Sequence, residues 1–139
     1  MEKRKPLLVE AVLTHKKQLT HHVIELHFEP KTPFDFDPGQ FISIIIPGAG
    51  PHGRDLRRAY SIASGPELTR DNKAILELCV KIVEGGPGTQ YLNKLAIGDS
   101  LKGMAPYGDF TYKTKPNKHA LFISTGTGIA PFRSMVLSK

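Results

Sequence analysis

The feature that most limits the fold is a run of short segments rich in β-branched and other apolar residues, separated by proline- and glycine-bearing loops. They are "LLVEAVLTH" (7–15), "HHVIELHFE" (21–29), "QFISIIIP" (40–47), "RAYSIAS" (58–64), "AILELCVKIV" (74–83) and "DSLKGMA" (99–105). Short strands with turn signals between them predict an antiparallel barrel or sandwich. The clearest breaks are "KTPFDFDPG" (31–39) and "GAGPHGRDLR" (48–57). One short helix interrupts the pattern. "PGTQYLNKLAIGD" sets Tyr91, Leu92, Leu95 and Ala96 at helical spacing, opens on Pro87 and Gly88 and closes on Gly98.

After "TKPNK" (114–118) the texture changes. "HALFIS" is an apolar run without alternation, followed by "TGTG" and then "IAPFRSMVLSK", whose Ile129, Phe132, Met135 and Val136 share one helical face. Strand, glycine turn and helix in that order open a βαβ unit. A parallel strand needs neighbours, and a helix of about ten residues is marginal without packing. The 139 residues suffice for one ordinary domain and not for two. The chain therefore reads as the front of a longer protein, with a β domain over 6–114 and the truncated start of an α/β nucleotide-binding domain over 119–139.

Composition narrows the function classes. Forty per cent apolar residues with 13 glycines and 11 prolines describe a globular chain with many turns rather than a disordered one. The single cysteine, Cys79, allows no internal disulfide and cannot alone build a zinc site, so a cytoplasmic location is expected. Residues 1–13 are basic, then briefly apolar, with Glu10 interrupting the run, so a secretory signal is not expected. No stretch approaches the roughly 18 to 20 apolar residues of a membrane span. The net charge of +6 admits anionic partners without choosing among them. His15, His21, His22 and His27 are scattered along two strands and read as satisfied or solvent-exposed imidazoles, so no metal site is expected. Nor does any Ser/His/Asp grouping suggest a nucleophile.

The glycine patterns point to phosphate. "EGGPGTQYL" (84–92) places Gly85, Gly86 and Gly88 directly before the short helix, with Thr89 in its first turn. Helix N-terminal amides, aided by about half a unit of positive charge from the macrodipole, favour an anion such as pyrophosphate. Pro87 removes one of those amides. "STGTGIAPF" (124–132) repeats the logic: Gly126 and Gly128 let a ligand approach the backbone, Thr127 offers a hydroxyl, and Pro131 suits a first helical turn. Strand alternation places Arg58, Tyr60 and Ile62 on one side and Ser61 on the other. In 74–83 it sends Leu76, Leu78, Val80 and Ile82 one way and Glu77, Cys79 and Lys81 the other, toward solvent or a ligand. An arginine beside a tyrosine suits a ligand with both a phosphate and a flat ring. A flavin dinucleotide has both.

"RAYSIAS", "LCVK" (78–81), "GGPGT" and "GTGIAPFRS" (126–134), together with "FDPGQFISI" (36–44) and "APYGDF" (105–110), resemble the ferredoxin-NADP reductase family of flavoenzymes, the last helix-opening string its plant-type branch. The match covers nearly all of the chain. The resemblance implies a six-stranded antiparallel Greek-key FAD-binding barrel with one short helix, followed by a nucleotide-binding α/β domain. It implies that Arg58 binds the FAD pyrophosphate, that Tyr60 lies against the flavin ring and ribityl chain, and that Ser61 hydrogen-bonds near flavin N5. Cys79 and Lys81 match positions near the adenine end, and Gly86, Gly88 and Thr89 match the pyrophosphate-binding helix start. Gly126, Thr127, Gly128 and Pro131 match the loop that receives NAD(P)H, Thr127 being closest to the nicotinamide. Ser61, Tyr60 and Thr127 are thus the expected catalytic positions, and hydride transfer from NAD(P)H to FAD, then electron delivery to ferredoxin or flavodoxin, is the expected activity. Ending at Lys139, the chain is expected to bind FAD but to turn over NAD(P)H poorly. Ala105 departs from the glycine that many relatives carry before Pro106. Ser61, opposite Tyr60, requires a bend at the strand end if both are to meet one flavin. The rival reading is a small basic β-barrel binding single-stranded nucleic acid, though its aromatics are mostly isolated and it has no tryptophan.

Overall fold

A computed structural model describes residues 4–70, 73–113 and 117–138. Of the expected domain limits, residues 114 and 139 lie outside these. Six antiparallel strands form one curled sheet: β1 (Leu7–Gln18), β2 (Val23–Pro30), β3 (Phe41–Ile46), β4 (Leu56–Ser61), β7 (Leu76–Lys81) and β8 (Ser100–Tyr107). A two-stranded ribbon, β5 (Thr69–Arg70) with β6 (Lys73–Ala74), lies between β4 and β7 in the chain. The strand order is β4-β3-β8-β1-β2-β7, so β8 returns from the far end of the chain to lie between β3 and β1, a Greek-key connection. All six expected segments are strands.

Alternation explains the burial. In β2, Ile24, Leu26 and Phe28 face inward and are fully buried, while Glu25 and His27 face out. β3 contributes Ile42, Ile44 and Ile46 to the same interior, and β7 contributes Leu76, Leu78 and Val80. Helix α1 (Pro87–Lys94) closes one end of the barrel by adding Leu92 and, just past its end, Leu95 to this core. Its last carbonyls are satisfied from across the barrel: the Lys16 ammonium of β1 donates to the Asn93 and Leu95 oxygens, which suits the negative end of the helix dipole.

The C-terminal segment departs from its reading in two ways. No ladder forms over 119–125: Leu121 is 84% and Ile123 78% exposed, because among the described residues no strand lies beside them to pair with. Phe122 instead stacks on Phe132 of α2 (Ile129–Leu137), their ring centroids 4.8 Å apart. The helix forms as expected, but a different face is buried. Ala130, Ser134 and Met135 face the barrel, whereas Ile129 and Val136 stand exposed, because polar as well as apolar contacts dock this helix. Among the described residues no helix is long and apolar enough to cross a membrane.

Leu26 is fully buried on the second strand from the sheet edge. Leu26→Ala is expected to lower the unfolding free energy by about 2–5 kcal/mol through lost transfer energy and a residual cavity. Urea unfolding followed by far-UV circular dichroism measures it, with an unchanged m-value showing that the fold persists.

Candidate functional site

Arg58 and Tyr60 leave the same side of β4 and both arrive at the start of α1. A Cβ built on Gly88 would lie 2.8 Å from Arg58 Cγ and 3.3 Å from the Tyr60 hydroxyl, so the helix start approaches these side chains as closely as a glycine allows. The turn that opens the helix depends on Gly85, held at φ +75 where other residues are strained, and on Gly86, whose N–H donates to the Val83 carbonyl at 3.0 Å. No side chain caps this helix, so the Gly88 and Thr89 amides at its N-terminus point outward without a side-chain acceptor. Exposed Arg58 donates to the Arg57 carbonyl at 2.9 Å. Burial pushes the Tyr60 phenol above its usual pKa, the Arg58 charge partly opposing it, so the ring presents a neutral hydroxyl.

Thr89, which matches the pyrophosphate-binding helix start, has its hydroxyl engaged within the turn. Its hydroxyl accepts from the Val83 N–H at 3.1 Å and has the Val83 and Gly86 carbonyls at 3.1 and 3.3 Å to donate to, so it locks the turn that presents the amides.

Ser61 ends β4 opposite Phe41. Ile62 N–H donates to the Gln40 carbonyl at 3.0 Å, whereas Ala63 N–H donates to the Glu77 carbonyl at 2.8 Å, so the strand passes from the β3 side to β7 within two residues.

The second glycine motif lies beyond that step. Gly126, Thr127 and Gly128 form a single 3-10 turn that leads into α2 and rests against β7, with Gly126 at φ +53 and Pro131 in the first helical turn. Cys79 is half-buried on β7 opposite Glu25, and Lys81 is exposed at the strand's end opposite Val23. Burial raises the Cys79 pKa, Glu25 adding to the effect and Arg133 partly offsetting it, which keeps a thiol rather than a thiolate there.

Glu77 corrects the expectation of an open polar face on β7: it is only 6% exposed. Arg133 of α2 covers it, donating through Nη1 to the Glu77 carboxylate and, at 2.9 Å, to the Ala63 carbonyl. Beside it the Ser134 hydroxyl donates to the Ser64 carbonyl at 2.7 Å, and the Ser64 hydroxyl donates to the Ile75 carbonyl while accepting from the Glu77 N–H. Sequence reasoning passed over Ser64, Arg133 and Ser134, and turned Glu77 toward solvent or a ligand. The signal was present in the polar ends of "RAYSIAS" and "GTGIAPFRS", but nothing in either string says that one grips the other. Removing the guanidinium in Arg133→Ala is expected to speed amide exchange across 129–137 by roughly three- to tenfold while the barrel core keeps its protection. Hydrogen-exchange mass spectrometry separates the two regions.

The comparisons with known proteins bear on the family and the fold. The family model described as the oxidoreductase FAD-binding domain matches residues 10–112. The chain is 39% identical over 129 residues to a ferredoxin--NADP reductase B of Sorangium cellulosum, covering 91% of this chain and 50% of that protein. It is 34% identical over 113 residues to the reductase component of a phenol 2-monooxygenase from a Pseudomonas species, covering 81% of this chain and 30% of the relative. The crystal structure of an Amycolatopsis cytochrome P450 reductase superposes with a TM-score of 0.80 at 26% identity, over 94% of this chain and 38% of the other. The chain thus spans half the length of the first relative and less than a third of the second. With the family model matching most of its length, this chain belongs to the oxidoreductase FAD-binding domain family.

Proposed function

We propose that this chain is the flavin-binding part of an NAD(P)H oxidoreductase of the ferredoxin-NADP reductase kind, its barrel spanning 6–114 and a nucleotide-binding unit beginning at 119. The observation that carries the reading is the convergence of Arg58 and Tyr60 on the uncapped helix start at Gly88. A cation fork, an aromatic ring and outward amides in one place fit a dinucleotide that carries a diphosphate and a flat ring. The fit can be judged from the packing at Gly88: a side chain there would press on Arg58, Ile46 and Tyr60, so only glycine lets the helix amides stand this close to the guanidinium and the ring.

In this reading Arg58 and the amides of Gly88 and Thr89 hold the diphosphate, with Gly86 shaping the turn. Tyr60 lies against the ring and ribityl chain, and Ser61, at the end of the same strand, hydrogen-bonds near the reacting edge. Cys79 and Lys81 serve the adenine side, and Gly126, Thr127, Gly128 and Pro131 receive the nicotinamide. A bound flavin supplies the redox chemistry, accepting a hydride and releasing electrons singly. The chain's own part is to orient the ring, exclude water and hold the nicotinamide loop near it.

The partner is an electron-carrier protein such as ferredoxin or flavodoxin, supported by the name of the Sorangium relative; the phenol 2-monooxygenase reductase component makes an oxygenase the alternative recipient. The lone cysteine is consistent with a reducing cytoplasmic setting.

Titrating the purified chain with FAD, followed by flavin fluorescence, tests the reading. Saturable uptake is expected. Arg58→Ala is expected to weaken it about 10- to 100-fold, the loss of one or two charge-assisted hydrogen bonds, and Gly88→Val should weaken it by forcing the helix start away from Arg58 and Tyr60. Unchanged affinity in both variants would remove the proposed site. Salt-sensitive binding of a single-stranded oligonucleotide with no flavin uptake would favour the nucleic-acid reading instead.

A further inference from the structure

A cluster on the outer face of the barrel, made by a register change, has no part in the flavin site. β1 and β2 pair regularly up to Leu13 opposite Phe28, but the next pair is His15 opposite His27, leaving Thr14 as an extra residue. Strict alternation from buried Leu13 would have turned His15 inward. The bulge turns it outward, onto the face that carries His27 and Glu25. The Thr14 hydroxyl donates to the His27 carbonyl at 3.2 Å, pinning the irregularity. Two imidazoles that sequence separation kept apart thus lie with ring centroids 4.4 Å apart.

The donor atoms converge. His27 Nε2 lies 3.1 Å from Glu25 Oε1 and 3.6 Å from Glu77 Oε1, and His15 Nε2 lies 3.7 Å from Glu25 Oε2. One ligating atom from each of His15, Glu25 and His27 falls within 4.8 Å of the others. Ligands at about 2.0–2.2 Å around a tetrahedral zinc stand roughly 3.3 Å from one another, so small side-chain rotations would complete such a set. A second observation is independent of the spacing: His27 Nε2 is shielded from solvent and makes no hydrogen bond of acceptable geometry, although carboxylate oxygens surround it. A buried polar nitrogen without a partner is costly. Its surroundings, two carboxylates and a second imidazole, call for a shared positive charge.

We propose that His15, Glu25 and His27 bind one divalent transition-metal ion of the zinc type. Two imidazoles and a carboxylate suit borderline ions and discriminate against magnesium and calcium, which prefer oxygen alone. His15 is exposed, so the ion enters from solvent. Glu77 stands beside the site as an outer carboxylate, its other oxygen held by Arg133. Occupancy therefore fastens β1 to β2 one carboxylate away from the anchor of α2.

Isothermal titration of the chelator-treated chain with zinc chloride tests the assignment. One ion per chain is expected, with a dissociation constant well below about 100 μM. His15→Ala and His27→Ala should each weaken binding by about tenfold or more, whereas the double change His21→Ala and His22→Ala, in the neighbouring turn, should leave it intact. Because His27 is partly buried, His15→Ala, at an exposed position, is the decisive variant. Zinc should raise the melting temperature of the unaltered chain and not that of His15→Ala. Absence of saturable binding, binding that survives His15→Ala, or binding lost with His21 and His22 would each overturn the assignment.

Discussion

The barrel closes at two consecutive peptides. Ile62 gives its N–H to Gln40, in the turn before β3, and Ala63 gives its N–H to Glu77 of β7. Successive amides of an extended chain point to opposite sides, so this one step ties together the two ends of a sheet ordered β4-β3-β8-β1-β2-β7. Buried polar groups clasp the step on both sides. The Gln40 side chain accepts from the Asp37 N–H and donates to the Gly108 carbonyl, and the Ser64 hydroxyl spans Ile75 and Glu77. Each of these groups lies in or near the core and would be costly if left unpaired. Their mutual satisfaction holds the closure in one geometry.

The face proposed to hold the dinucleotide inherits that geometry. Upstream of the closure, Arg58 and Tyr60 reach the first glycine-led helix; downstream, the Ala63 and Ser64 carbonyls receive Arg133 and Ser134 of the second. Seven residues, 58–64, therefore reach from the start of α1 to the middle of α2. This is what a strand merely filling the core could not do, and it accounts for polar residues in a stretch that otherwise reads as buried.

The outer face follows from a different irregularity. The extra residue at Thr14 reverses the sidedness of everything after it in β1. His15 and Lys17 turn outward with His27 and Glu25 as their partners, and Lys16 turns toward the end of α1, where its ammonium meets the Asn93 and Leu95 carbonyls. One bulge therefore both anchors the helix whose opposite end faces Arg58 and assembles the imidazole cluster.

The sequence alone determined what is local. Runs of β-branched and apolar residues between proline- and glycine-bearing loops marked all six barrel strands, Pro87 and the flanking glycines marked α1, and the order of "RAYSIAS", "GGPGT" and "GTGIAPFRS" pointed to the family. Tertiary structure decided what depends on residues far apart in the chain. It left "HALFIS" unpaired, since apolar residues become a strand only beside another strand. It buried Glu77 beneath Arg133, 56 positions away, and put His15 against His27 through a bulge that composition does not announce. Periodicity and turn chemistry act within a few residues and can be read along the chain. Register, closure and ion pairing are settled by which distant backbone groups satisfy one another.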